Sequence, residues 1–181
     1  RILSKYPQRS TVMFVLFSAE EVGRQGSVAF ARDYIEARNI DVTAMINIDT
    51  VGSWNGPDGT IIDDSIRLYT DANETLVSAH QHLGRTIEFI GYNHELSLAI
   101  NVLPEKDRDG RYGDHFSFQA LGYPSVRFIE AIEDTPNREG NDFRQFVEPA
   151  YLVKSTQTIL GVLWSLGGGL RPPDSIVMRE T

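Results

Sequence analysis

Residues 11–27 read TVMFVLFSAEEVGRQGS, and the reading of this stretch decides the fold. Its first seven residues are apolar or β-branched without alternation and too few for a helix. They predict a strand buried on both faces, the kind found in parallel sheets covered by helices. A polar loop follows, with two adjacent carboxylates, Glu20 and Glu21, and two glycines, Gly23 and Gly26, that permit tight turning. Ser27 then reads as the N-cap of a helix whose apolar stripe is Val28, Ala31, Tyr34 and Ile35. Asn39 ends it.

The same order recurs along the chain. Residues 44–48 (AMINI) form a second short apolar run that ends on Asp49, and a turn-rich stretch, VGSWNGPDGT, follows it. Ile66, Leu68 and Thr70 alternate as a strand. Residues 73–83 fit a helix, residues 86–90 suit a strand, and residues 93–113 are mixed. Residues 115–121 fit a short helix closed by Gly122. Residues 125–129 (SVRFI) read as a strand ending on Glu130. Residues 148–166 carry a long helical stripe of Leu152, Thr156, Ile159, Leu160, Leu163 and Leu166. Upstream, residues 1–5 read as the last turn of a helix stopped by Pro7. Strands alternating with helices predict an α/β domain: a mostly parallel central sheet with helices on both faces. This domain spans residues 1–167, and residues 168–181 form a Gly/Pro-rich tail or linker.

Composition narrows the function classes. The 181 residues are 41% hydrophobic with a formal net charge of −8, ordinary for a globular domain with one core. No Lys/Arg stripe could track phosphates, so nucleic acid is an unexpected partner, and no apolar run reaches the length of a membrane span. The acidic surface favours cationic ligands, including metal ions and free amino termini. The chain has no Cys, so any transition metal must be held by carboxylate and imidazole.

Three apolar runs lead into carboxylates: Glu20 and Glu21 after the first, Asp49 after the second, Glu130 after the third. Sites in parallel sheets form beyond the carboxyl ends of strands. Acids gathered there repel one another, and a bound cation removes that cost. With two adjacent carboxylates, one can hold a metal while its neighbour takes a proton from metal-bound water. Each residue alone has a plainer reading. A Glu-Glu pair can be solvated acids near a helix N-terminus, Asp49 can cap a turn, and His115 can pack on a short helix. His80 and His82 read as surface residues, and Trp54 and Tyr112 as packing or pocket lining.

Taken together, these motifs change the odds. FVLFSAEEVGRQGS resembles the metal-binding loop of the M28 zinc aminopeptidases, of rough form F-x-x-F-x-x-E-E-x-G-x-x-G-S. MINIDTVG resembles their M-x-N-x-D-M-x-G element, with Thr50 in place of Met. GDHFSFQALGYPSVRFIE resembles S-D-H-x-x-F-x-x-x-G-x-P, with Gly113 in place of Ser, and EPAYLVKSTQTILGVL resembles the final helix. The resemblance implies a three-layer αβα sandwich with a mixed, mostly parallel sheet. It implies zinc, two ions in the family, and peptide substrates cleaved at the amino terminus by a metal-activated water. Glu20 would be the general base, Glu21 and Asp49 metal ligands. Asp114, His115 and Glu130 would lie in the second shell or at the substrate rim. It also points to an exported enzyme, periplasmic or extracellular.

The pattern departs from the family in two places. The family's first His and bridging Asp belong to a segment before residue 11 and are absent here, so the resemblance implies that residues 1–167 are a partial domain whose N-terminal part is missing. Its second His belongs to a loop that here reads EDTPNREGNDFRQF, and no His follows His115. Asp134 could stand in, since carboxylate also ligates zinc. The alternatives are therefore a catalytically degenerate peptidase-like binding module, or a glutaminyl-cyclase-like or carboxypeptidase-like enzyme on the same fold.

Overall fold

In the computed structural model, which describes residues 3–70, 78–105, 112–133 and 143–168, four strands form one sheet. They are β1 (Met45–Ile48), β2 (Ser65–Tyr69), β3 (Ala99–Leu103) and β4 (Ser125–Glu130), in the order β1-β4-β2-β3. β1 runs parallel to β4 and β2 parallel to β3, while β2 is antiparallel to β4. The sheet is thus mixed, and β2 begins at the edge where β1 and β4 end. Registers align the faces: Asn47 lies beside Arg127, and Leu68 opposite Phe128.

Two helical layers cover the sheet. Ile66, Leu68, Val126 and Phe128 point to one face and pack with α2 (Ala79–Asn93) and α4 (Pro149–Gly168) through Leu83, Ile87, Ile90, Tyr151, Ile159 and Val162. On the other face lie α1 (Gln25–Ala29) and α3 (His115–Gln119), with a smaller core of Ala31, Ile35 and Phe118 that Met45 and Tyr123 join. The three-layer αβα architecture is therefore present. No helix among the described residues is long and apolar enough to cross a membrane.

Several elements differ from the sequence expectation. Residues 11–17 form no strand, and Phe14 is 72% and Leu16 100% exposed. β1 lies at the sheet edge, and among the described residues nothing pairs with its outer side. An apolar run states what a segment could bury, but a strand also needs a neighbour for its backbone groups. Among the described residues, contacts hold its two ends. Val12 lies near Gly167, and Phe17 meets the rings of Phe30 and Phe118.

Residues 86–90 belong to α2 rather than to a strand. Ser78 accepts from Gln81 N while the Gln81 side chain accepts from Ser78 N. This capping box starts a helix, and Leu83, Ile87 and Ile90 then bury at helical spacing. β3 lies in the stretch that read as mixed. α1 starts at Gln25, and the chain continues helically to Arg38 through a π-turn and a final 3-10 turn. Ser27 caps nothing; its buried hydroxyl meets Arg24 O at 3.2 Å and Ser117 Oγ at 2.8 Å, tying α1 to α3. α4 falls within two residues of its expected ends. Its buried line is Tyr151, Ser155, Thr158, Ile159 and Val162, turned slightly from the apolar stripe. The tail beyond residue 168 lies outside the described residues.

Candidate active site

The acidic turn is built by its backbone. Gly23 N and Arg24 N both donate to Glu20 O, at 3.1 and 2.8 Å, and Gln25 N and Gly26 N donate back to Ala19 O and Ser18 O. A Cβ on Gly26 would lie 2.6 Å from Ser18 O, so glycine is required for this close approach. Ala19, just before Glu20, and Thr50, just after Asp49, both hold left-handed backbone at φ 59° and 53°. A β-branched residue rarely takes that conformation, and such strain gathers at functional sites.

The sheet brings the second acid to the same place. β1 delivers Asp49 at its carboxyl end, where Asp49 N donates to Phe128 O at 3.2 Å. Both carboxylate oxygens of Asp49 are engaged: Thr50 Oγ1 donates to Oδ1 at 3.1 Å, and Arg127 Nη2 pairs with Oδ2 at 3.1 Å. Glu20 feels this assembly. Partial burial raises its carboxyl above the ordinary range, and the charges of Glu21, Asp49 and Asp114 raise it further, while Arg127 pulls it down. Glu20, Glu21, Asp49 and Asp114 therefore form one electrostatic cluster. Residues 11–27, β1 and the start of α3 supply it.

Asp114 and His115, at the start of α3, are both buried. His115 packs on the Phe116 ring, with centroids 4.7 Å apart. Gly113 presses against β1: a Cβ there would come within 2.7 Å of Asn47 Nδ2 and 3.1 Å of His115 Nδ1. That is a steric reason for glycine where the family carries Ser.

Glu130 lies on the opposite face of the sheet. It shares the side of Val126 and Phe128, next to Tyr151, and is only 1% exposed. Its Oε2 accepts from Ser53 N at 2.8 Å, and its own N donates to Thr50 O at 2.8 Å. Glu148 N holds the same loop through Gly52 O at 2.8 Å. Glu130 thus braces the Asp49 loop from beneath. Burial pushes its carboxyl up to about 7 against the pull of the Ser53 and Gly52 hydrogen bonds and Arg67. Asp134 lies outside the described residues. Trp54 packs against the main core, His80 Nδ1 accepts from Ser125 N at 3.2 Å, and His82 and His94 are exposed. A cavity of about 400 Å³ lined by Thr43, Ala44, Leu83 and Pro124 lies where the strands begin, away from the acids.

Arg127 is the participant that sequence reading passed over. Its signal was there: a charged residue inside the apolar run SVRFI must find a partner once buried, and the acids at the strand ends are the available ones. Arg67, in the middle of β2, is the same case. It donates to Glu130 O at 2.8 Å and pairs with Glu133 at 3.3 Å.

The donor set suits a hard or borderline cation in chemistry, and the buried Asp114 Oδ1 meets no hydrogen-bond donor among the described residues. In number it falls short. Among the described residues no group of three His, Cys, Asp or Glu side chains is placed to hold a metal ion. The carboxylates fit as part of a cage that needs further donors.

Comparison with known proteins bears on the family and the fold. The family profile described as Peptidase family M28 matches residues 1–162. A probable zinc metalloprotease of Pyrenophora tritici-repentis is 28% identical over 207 residues, covering 100% of this chain and 48% of the relative. One from Phaeosphaeria nodorum is 27% identical, covering 100% of this chain and 42% of the relative. The chain thus spans less than half the length of these relatives. Among solved structures, BSAP, a zinc aminopeptidase from Bacillus subtilis, superposes with a TM-score of 0.70 at 20% identity, covering 94% of this chain and 39% of that one. The LapA aminopeptidase of Legionella pneumophila gives 0.67 at 17% identity, covering 87% and 39%. These likenesses bear on the fold.

Proposed function

The chain belongs to peptidase family M28, and from that premise we propose that it works as a zinc-dependent exopeptidase taking residues from the amino terminus of peptides. The observation that carries this reading is Glu20, a carboxyl raised by burial and by Glu21, Asp49 and Asp114 around it. A carboxyl tuned upward accepts and returns a proton near neutral pH better than a solvated one. In this reading Glu20 takes a proton from the attacking water and passes it to the departing amine. Glu21 and Asp49 would hold zinc together with donors beyond the described residues, and the family resemblance implies two ions. Bound zinc would lower the pKa of water and polarise the scissile carbonyl. Arg127 and Thr50 fix the direction of the Asp49 carboxylate, and Glu130 keeps its loop in place. The acid cluster also attracts the free ammonium of a peptide, which favours amino-terminal substrates.

The test uses the intact protein. Glu20→Gln should lower kcat by about a hundredfold or more while bound zinc, measured by elemental analysis, stays at the wild-type level. Undiminished turnover in that variant rejects the role given to Glu20. A second reading, a peptidase-like binding module, is favoured by the incomplete donor set among the described residues and by the absence of His from residues 116–181. An intact protein that carries neither zinc nor peptidase activity would establish it instead.

A further inference from the structure

We propose that Arg24, stacked on Tyr112 and Phe116 at the end of the acidic turn, is a specificity residue that receives a carboxylate of the peptide substrate. This inference rests on the peptidase reading above. The turn fixes Arg24 beside the base, because Arg24 N donates to Glu20 O at 2.8 Å and its backbone is held at φ 56°. Its guanidinium carbon lies 5.7 Å from the Tyr112 ring centroid and 5.8 Å from that of Phe116. The two rings meet edge to face at 5.1 Å. A guanidinium held against rings directs its N–H groups within its own plane, the geometry that grips a carboxylate as a fork.

The charge on Arg24 is also uncommitted. Among the described residues Arg32, Arg67, Arg127 and Lys154 each form an ion pair, and Arg24 forms none. Its Nε is shielded from water and meets no acceptor among the described residues. Acids gather around the base itself. The site offers two polarities: acids for an ammonium, and Arg24 for a carboxylate. That carboxylate can come from an acidic side chain next to the scissile bond or from the carboxyl terminus of a short peptide.

The intact protein separates these sources with three substrates. They are leucyl-alanine amide, leucyl-glutamate amide and leucyl-alanine with a free terminus. Wild type should prefer one carboxylate-bearing peptide over the neutral amide by about tenfold in kcat/KM, and which one identifies the source. Arg24→Gln should abolish that ratio, and Arg24→Lys, which keeps the charge and loses the fork, should reduce it. If Arg24→Gln loses its far-ultraviolet circular dichroism, Arg24→Lys decides the matter. No preference in wild type, or a ratio unchanged in the folded variant even as all rates fall together, overturns the inference and leaves the peptidase reading standing. Absence of turnover for every peptide overturns the peptidase reading, and the inference with it.

Discussion

Replacing Glu130 with glutamine should remove a defined part of the pH dependence of stability. An ordinary glutamate titrates near 4.5, and burial pushes this one up to about 7. Below about 4.5 the carboxyl is neutral in both folded and unfolded chains. As pH rises from there, the unfolded chain ionises first while the fold keeps its proton. Stability present at low pH is therefore lost progressively until the folded group ionises near 7, after which the loss is constant. At about 1.4 kcal/mol for each pH unit across that window, the total is ~3 kcal/mol. Glutamine is neutral throughout and keeps an oxygen to accept from Ser53 N. Urea unfolding of both proteins between pH 4 and 8 isolates the effect, because other titrating groups cancel in the difference. Glu130→Gln should gain ~3 kcal/mol on wild type across the window. A wild-type-minus-variant difference that is flat from pH 4 to 8 would refute the assignment of a buried, proton-holding Glu130.

Two further substitutions test the frame around the site. Gly26→Ala sets a Cβ 2.6 Å from Ser18 O and 2.9 Å from Ser18 N; backbone cannot step aside cheaply, so thermal unfolding should show a loss of about 1–3 kcal/mol, and a neutral result would mean the acidic turn is looser than described. Tyr151→Phe removes a buried hydroxyl that donates to Ser65 O at 2.8 Å and accepts from Ala131 N at 3.1 Å. Leaving both groups without that partner should cost about 1–3 kcal/mol in chemical denaturation, and a variant as stable as wild type would mean that water or other groups replace it.

How legible was all this in the sequence? The layers were, because AMINI, SVRFI and the helix beginning near Glu148 carry their burial pattern in their own residues. Apolar runs that lead into carboxylates pointed to Glu20, Glu21 and Asp49, but residues 11–17 form no strand, and a hydrogen-bonded turn carries the glutamates instead. The partner geometry was not legible. The run 11–17 announces a strand but cannot name what it pairs with. Thr86 and Ile87 favour strand by propensity, yet the cap at Ser78 and burial on α2 decide for helix. Glu130 looked like a site acid because it ends a strand, but alternation sends it to the face away from the cluster. Arg127, one face over, is the charge that reaches Asp49, and its place inside an apolar run is the signal that a buried cation needs an acid partner.

That alternation along β4 has a consequence for how the sheet assembles. Arg127 faces the polar layer, while Val126 and Phe128 on either side of it are buried in the main core. If β4 slid by a single residue against β1 and β2, the guanidinium would swing in among Leu83, Ile87 and Val162, and Phe128 would be thrust among the acids. Either displacement strands a charge in oil or an aromatic ring in a polar nest, and misalignment by one step would forfeit several kcal/mol. The residue that aims Asp49 thus also proofreads the alignment of the strand that carries it, so a correctly docked β4 and a correctly pointed carboxylate arrive together.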